Sequence, residues 1–306
     1  MMRICSLLPA ATEIAFALGL GDDVVGITHE CDFPPAARDK PVMVRSAIDS
    51  AALGSAEIDR RVAELLRANR SLYVLDEQKL TQANPDVILT QALCDVCALD
   101  YNDVVRAARC LERSPEIISL NPSCLTDMLE DILTIGAATQ TLWKAQSLVQ
   151  SLKQRIAAVR NHAAQMTARR RVVCLEWFEP LYTAGHWVPE MVELAGGADV
   201  LGKPRQPSAP VDWQSVVASA PEVLILMPCG FDVERTVRES ALLKYLDGWD
   251  RLPAVETERV FAVSGNDYFS RPGPRLIDGL EILSHVFQPQ FAPPSVSSHA
   301  LKRVIV

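Results

Sequence analysis

Between Gln140 and Thr167 the apolar residues Leu142, Ala145, Val149, Leu152, Ile156, Val159, Ala163 and Met166 step by three and four. That spacing marks one face of a continuous helix, and no Gly or Pro interrupts it. At 1.5 Å per residue, roughly 28 residues would span about 42 Å, longer than most helices of globular domains. A dimer zipper is the alternative reading. Trp143 and the alanines off the seam favour a helix lying on a globular body. Such a helix constrains everything else, because the segments on either side of it must fold as separate layers.

The chain has 306 residues, 49% hydrophobic and 22% charged, with a formal net charge of -8. The length suits two domains, and the charge gives no support to a nucleic-acid role. No apolar run reaches the roughly 18 residues of a membrane span, so no membrane insertion is expected. In Met1–Pro9, Pro9 and then Glu13 cut the apolar run short, so the segment reads as a first strand and not a targeting peptide. The eight cysteines lack the spacing of a small disulfide scaffold, and Cys5 and Cys174 read as core thiols. These features favour a cytoplasmic protein; a periplasmic or extracytoplasmic location is the alternative if a leader has been removed.

Strand-like and helix-like stretches alternate on both sides of the long helix, which predicts α/β layers with mainly parallel strands. The two sides also echo one another. Arg3-Ile4-Cys5-Ser6-Leu7 matches Arg171-Val172-Val173-Cys174-Leu175, and Ala83-Asn84-Pro85-Asp86-Val87 matches Ser219-Ala220-Pro221-Glu222-Val223. Thr12 through Gly19 parallels Pro189 through Gly196. Three echoes in one order predict two similar α/β lobes joined by the helix, with a ligand cleft between them. The expected division is 1–139 for the first lobe, 140–168 for the helix, 169–289 for the second lobe and 290–306 for a loose tail.

The run Arg3-Ile4-Cys5-Ser6-Leu7-Leu8-Pro9-Ala10-Ala11-Thr12-Glu13-Ile14, with Val25-Gly26-Ile27-Thr28, Asp32-Phe33-Pro34-Pro35 and Asn84-Pro85-Asp86-Val87-Ile88 after it, resembles the vitamin B12- and siderophore-binding proteins of ABC importers. Tyr182-Thr183-Ala184-Gly185, Leu194-Ala195-Gly196-Gly197, Val211-Asp212-Trp213 and Arg271-Pro272-Gly273-Pro274-Arg275 extend the resemblance to about Phe287. It implies two lobes on one rigid backbone helix and a metal-bearing ligand such as a corrinoid, haem or ferric siderophore, with the B12 binders closest in motif order. It also implies docking to an ABC permease through a glutamate on each lobe. Gln78 and Gln214 stand at those positions, with Glu77 one step away, so the docking glutamates are not evident.

Loops that succeed strands should face a ligand in parallel α/β lobes. Cys94 and Cys97 come after the strand Asp86–Thr90; they suit a soft metal, a haem or corrinoid centre or a redox disulfide, or are simply packed thiols. His29, Glu30 and Cys31 come after another strand, with Phe33 beyond, and read as ligand contacts or as a plain surface loop. Trp177 and Phe178 could lie flat on a tetrapyrrole-like ring, or plug the core. His186, beside Trp187, is a candidate axial ligand. Trp213 is either a ligand-facing aromatic or a core residue. Asp267, Tyr268, Phe269 and Arg271 form a polar-aromatic loop after the last strand, in which Arg271 could meet an amide or carboxylate. The metal candidates are therefore His29, Cys31, Cys94, Cys97 and His186.

No phosphate loop, dinucleotide fingerprint or nucleophile elbow is present. The reading is a monomeric, non-catalytic binding protein for a corrinoid or related metal tetrapyrrole, needing no resident cofactor. One alternative is an intracellular metal-handling protein or enzyme that uses Cys94 and Cys97. The other is a conventional ABC importer substrate-binding subunit.

Overall fold

The computed structural model describes residues 2–92, 101–291, 293, 297 and 299–304. The chain divides into two compact units. The first holds Met1–Leu53, Glu57–Pro122 and Thr126–Ser151; the second holds Gly54–Ala56, Ser123–Leu125 and Leu152–Val306.

The first unit is built on a six-stranded sheet. Its strands are β1 (Ile4–Ser6), β2 (Val24–Thr28), β3 (Val42–Ser46), β4 (Tyr73–Leu75), β5 (Val87–Thr90) and β6 (Glu116–Ser119), in the order β4-β3-β2-β1-β5-β6. Every pairing is parallel except β3 with β4. β1 and β5 are buried along their whole length, as central parallel strands with both faces covered must be. Helix α1 (Pro9–Ala17) comes directly after β1 with Pro at its first turn, and Gly19 beyond it takes φ +73°, which a side chain would resist. The remaining helices are α2 (Ser55–Arg67), α3 (Glu77–Ala83), α4 (Tyr101–Ala108) and α5 (Leu125–Ala138). Leu80 and Ala83 of α3 and Val104 and Ala107 of α4 pack with Cys5, Leu7, Met43 and Ile88. Strand β3 forms on the short apolar run Val42–Val44 between Pro-rich and polar residues, and β4 pairs with it antiparallel.

The second unit holds β7 (Arg170–Phe178), β8 (Leu181–Thr183), β9 (Gly197–Asp199), β10 (Ala209–Pro210), β11 (Val223–Leu226), β12 (Val260–Val263) and β13 (Leu301–Arg303). The order is β10-β8-β7-β11-β12-β13, with β9 also beside β7. β7, β11 and β12 are the parallel centre. The echo predicted from sequence is physical. Arg3 donates its backbone N–H to Asp86 and its guanidine Nε to the Ala83 carbonyl; Arg171 does the same to Glu222 and the Ala220 carbonyl. Asn84 and Ala220, one residue before each Pro, take φ +37° and +43°.

The long helix is α6 (Leu142–Ala163), 22 residues and about 33 Å, shorter at both ends than the expected Gln140–Thr167. Gln140 takes φ +58° and ends α5, while Thr141 accepts from the N–H groups of Lys144 and Ala145. At the far end the Gln165 and Met166 N–H groups reach only three residues back. Ala145, Val149, Leu152 and Val159 of the seam are buried, but Trp143 is 69% exposed with the Lys144 ammonium 5.8 Å from its ring centroid. The unit boundary falls inside this helix, after Ser151.

Helices α7 (Val188–Leu194), α8 (Trp213–Ala218), α9 (Val233–Glu239), α10 (Pro253–Glu256), α11 (Gly265–Tyr268) and α12 (Leu276–Phe287) complete the second unit. α12 is buried nearly all round, and Arg155 of α6 holds it through Glu281 at 2.8 and 2.7 Å and Asp278 at 2.6 Å. The tail is not loose throughout. β13 pairs antiparallel with β12, Ala300 and Val304 are buried, and Lys302 meets Glu234 at 2.6 Å. The Pro and Ser cluster before it masked a short edge strand.

Candidate functional site

In the second unit, β7 alternates Val173 and Leu175 into the core. Its register with β8 then shifts, Leu175 facing Thr183 but Trp177 facing Tyr182. This bulge at Glu176 inverts the alternation. Phe178 therefore turns into the core at 2% exposure, and Trp177 turns out, half-buried. Phe178 is a core residue, contrary to expectation. The Trp177 indole N–H donates to the Glu179 carbonyl at 3.1 Å, and its ring lies 5.3 Å from that of Phe231.

Phe231 belongs to the loop after β11. The Cys229 N–H donates to the Glu176 carbonyl and the Asn266 N–H to the Phe231 carbonyl, both at 3.1 Å, so three carboxyl-end loops are tied together. At Gly265 a β-carbon would lie 2.3 Å from the Pro228 carbonyl oxygen, so only glycine permits the approach. The Arg235 guanidinium sits 3.7 Å from the Phe231 ring centroid while its Nε donates to Glu239 at 2.9 Å. Ser208 donates to Glu176 at 2.8 Å. Cys229 is exposed. Exposed Cys229, Glu179 and Asp232 were missed by sequence reasoning, whereas Phe231 is 2% exposed and packs against Trp177. Pro228–Asp232 comes after an expected strand, so the rule applied to the other loops would have found them.

In the loop after β12, Ser264 donates to Asp267 at 2.7 Å and accepts from its N–H, capping α11. Arg275 meets Asp267 at 3.3 Å and lies 5.8 Å from the Tyr268 ring centroid. Arg271 is 7% exposed and donates to the Asn266 side chain at 2.9 Å. Asp267 and Tyr268 are half-buried, but Phe269 is 3% exposed and is packing, a second correction. Trp187 is buried as well, its indole donating to the Phe269 carbonyl at 2.8 Å. Trp213 is buried against Trp249 and donates to the Asp247 carbonyl at 2.8 Å. Both indoles have an internal acceptor, which is what lets a Trp be buried. His186 is half-buried with φ +51°, and burial lowers its pKa, which favours the neutral imidazole.

In the first unit, His29 and Glu30 are exposed and 4.0 Å apart, and Phe33 is 42% exposed. Cys31 is 3% exposed. Its sulfur lies 3.1 Å from the Thr12 hydroxyl and 3.3 Å from the Thr28 hydroxyl, so it turns inward and away from His29 and Glu30. Thr12 also donates to Ser6 at 2.8 Å. Cys5 and Cys174 are core thiols as expected; burial, then the nearby Cys31, pushes the Cys5 pKa up to about 12. Cys94 and Cys97 lie outside the described residues. Among the described residues no three His, Cys, Asp or Glu side chains gather into a metal site, and no helix is long and apolar enough to cross a membrane.

The vitamin B12-binding protein of Vibrio cholerae is 24% identical over 91% of this chain and 86% of its own length. An uncharacterized ABC transporter substrate-binding lipoprotein, YvrC of Bacillus subtilis, is 25% identical over 94% of this chain and 80% of its own. Among solved structures, the periplasmic haem-binding protein RhuT of Roseiflexus sp. RS-1 superposes with a TM-score of 0.70 at 23% identity, covering 95% of this chain and 99% of that one. The periplasmic vitamin B12-binding protein BtuF of Vibrio cholerae gives 0.68 at 20% identity, covering 94% and 96%. These likenesses share the two-lobed α/β fold, and they lend no support to the cytoplasmic location expected from sequence. The periplasmic binding protein family model matches residues 4–265, and the chain belongs to that family, one of binding proteins and not of enzymes.

Proposed function

We propose that this chain is the substrate-binding subunit of an ABC importer, that its cargo is a metal chelate of the corrinoid or haem kind, and that it works outside the cytoplasm. The observation that carries the reading is Trp177 at the carboxyl end of β7, a half-buried aromatic platform backed by the buried Phe231 and held by cross-linked loops. A flat macrocycle is the ligand that such a platform suits. Relatives named for vitamin B12 and for haem support the class of cargo. Of the two, a corrinoid is preferred, since the relatives matched in sequence include several named for vitamin B12. Gln78 and Gln214 are exposed, so docking to a permease would rest on hydrogen bonds, with Glu77 supplying charge beside Gln78.

Calorimetry and absorption spectra with cobalamin, cobinamide and haemin test this. At least one should bind with a Kd tighter than about 10 µM, and Trp177→Ala should weaken it about tenfold. If none of the three binds, the reading falls. Cell fractionation checks the location: recovery of the protein in the cytoplasmic fraction alone would overturn the extracytoplasmic assignment.

A further inference from the structure

The amino ends of the second unit's strands gather arginines that the carboxyl-end loops do not use. Arg170 opens β7, Arg259 stands directly before β12, and Arg303 closes β13. Register puts all three on one face of the sheet. Val172 pairs with Val223 and Val260 with Leu224, so Arg259 falls level with Val172, which is two residues along β7 from Arg170. Arg303 pairs with Phe261, two residues along the chain from Arg259, and its guanidinium lies 5.9 Å from the Phe261 ring centroid. Residues that are level across a sheet, or two apart along a strand, share a face. Arg171 has the opposite parity and is committed elsewhere: its Nε donates to the Ala220 carbonyl at 3.0 Å and its backbone N–H to Glu222 at 2.9 Å.

The three charges are poorly compensated. The Arg170 Nε is buried and has no hydrogen-bond partner. Neither Arg170 nor Arg259 makes an ion pair among the described residues, and Arg303 meets Glu258 at 3.6 Å with both side chains exposed. Burial, then the charges of Arg170 and Arg303, lower the Arg259 pKa, and Glu222 opposes them without cancelling them. A buried charged donor without an acceptor is costly, and an anion that joined the three would remove both that cost and the mutual repulsion. The guanidinium fork matches phosphate oxygens, and a phosphate group offers three terminal oxygens to three guanidiniums. We propose that Arg170, Arg259 and Arg303 form a binding site for a phosphate group at the amino end of the second unit's sheet, at the opposite end of β7 from Trp177. The phosphate is carried either by a small molecule in solution or by a lipid headgroup, and the experiment separates these sources.

Pyrophosphate is the soluble probe, measured by calorimetry at constant ionic strength so that screening is held fixed. It should bind with a Kd tighter than about 1 mM. Arg170→Gln and Arg259→Gln should each weaken it at least about tenfold. Arg303→Gln changes an exposed side chain, leaves the fold intact and should weaken it about threefold, so the site is tested even if the two inner variants unfold. Co-sedimentation with phosphatidylglycerol vesicles, against phosphatidylcholine vesicles, is the second arm. Binding to phosphatidylglycerol alone that Arg303→Gln weakens assigns the site to a headgroup; pyrophosphate binding without vesicle binding assigns it to a phosphate in solution. If neither probe binds, or if the folded variants leave binding unchanged, the phosphate site is wrong. That failure would leave the metal-chelate reading untouched, because the chelate is tested at Trp177.

Discussion

The two units offer different surfaces at the carboxyl ends of similar strands. In the first, Ser6, Thr12, Thr28 and Cys31 are all buried and hydrogen-bond to one another, so these four polar groups are spent inside the protein, while His29, Glu30 and Phe33 after β2 stay exposed. In the second, a bulge turns Trp177 outward against the buried Phe231, and Glu179 and Asp232 in the same loops are exposed. The same strand–helix plan therefore yields a buried polar network in one unit and a half-buried, outward-turned indole in the other. The difference arises from one inserted residue in β7, because a single shift of register exchanges every side chain between faces. Neighbouring residues in that strand should then behave very differently. Phe178→Ala, which empties a core position, should cost about 4 kcal/mol of stability, whereas Trp177→Ala should cost under about 1 kcal/mol and act on ligand binding. Urea denaturation of both variants checks this; equal losses would break the distinction between platform and core.

Arg155 gives the next largest effect. It donates to Glu281 through two atoms and to Asp278 through one, within the second unit. Removing it strands Glu281, which is buried, beside a second carboxylate. Arg155→Ala should cost about 2 to 3 kcal/mol, below the range for a fully buried pair because the guanidinium is partly exposed. The loss should shrink at low pH, where Asp278 protonates. Desolvation already pushes the Asp278 pKa up, against the pull of Arg155. A loss independent of pH would mean that Arg155 contributes packing and not charge.

Each unit also holds a carboxyl group that resists ionisation. Burial, then Asp127 and Glu130, raises Asp131 to about 7; burial raises Asp199 to about 6, against the N–H groups of Gly202 and Leu201. A folded pKa above the unfolded value means that the folded chain binds the proton more tightly. That contribution is complete below about pH 4 and is lost as pH rises through 6 for Asp199 and through 7 for Asp131. Asp199→Asn keeps an oxygen for the two N–H groups and should remove on the order of 2 kcal/mol of the stability change between pH 4 and 7. Chemical denaturation at several pH values measures that slope; an unchanged slope would place the titration elsewhere.

The duplicated plan was legible in the sequence because the Arg3–Asp86 and Arg171–Glu222 ties are carried by short runs of like residues. The strands after those runs were legible for the same reason. The extent of the long helix was overread: its seam continues past the far end to Met166, and apolar spacing says nothing about the left-handed turn at Gln140. At the site, the loops could be named but not the orientation of their side chains. Phe178 and Trp177 are indistinguishable by type, and only the bulge separates them. Trp187, Trp213 and Phe269 were candidates for ligand contact, Trp213 with a core position as its alternative, and all three are buried. Each indole instead found a backbone carbonyl, a partner far away in sequence that no local pattern announces.

The smallest effect tests the quiet side of the comparison. The Thr12 hydroxyl has one proton and three neighbours: Ser6 at 2.8 Å, the Cys31 sulfur at 3.1 Å and the Leu8 carbonyl at 3.3 Å. Thr12→Val keeps the shape and removes the shared group. Ser6 retains its bond to the Leu8 carbonyl and Cys31 its contact with Thr28, so neither is left bare. The expected loss is about 1 kcal/mol of stability, with chelate affinity unchanged within about twofold. Because this network closes on itself, it has nothing to offer a ligand. A tenfold drop in chelate affinity with little loss of stability would show that the corner after β1 is part of the binding surface, and the contrast between the two units would have to be drawn again.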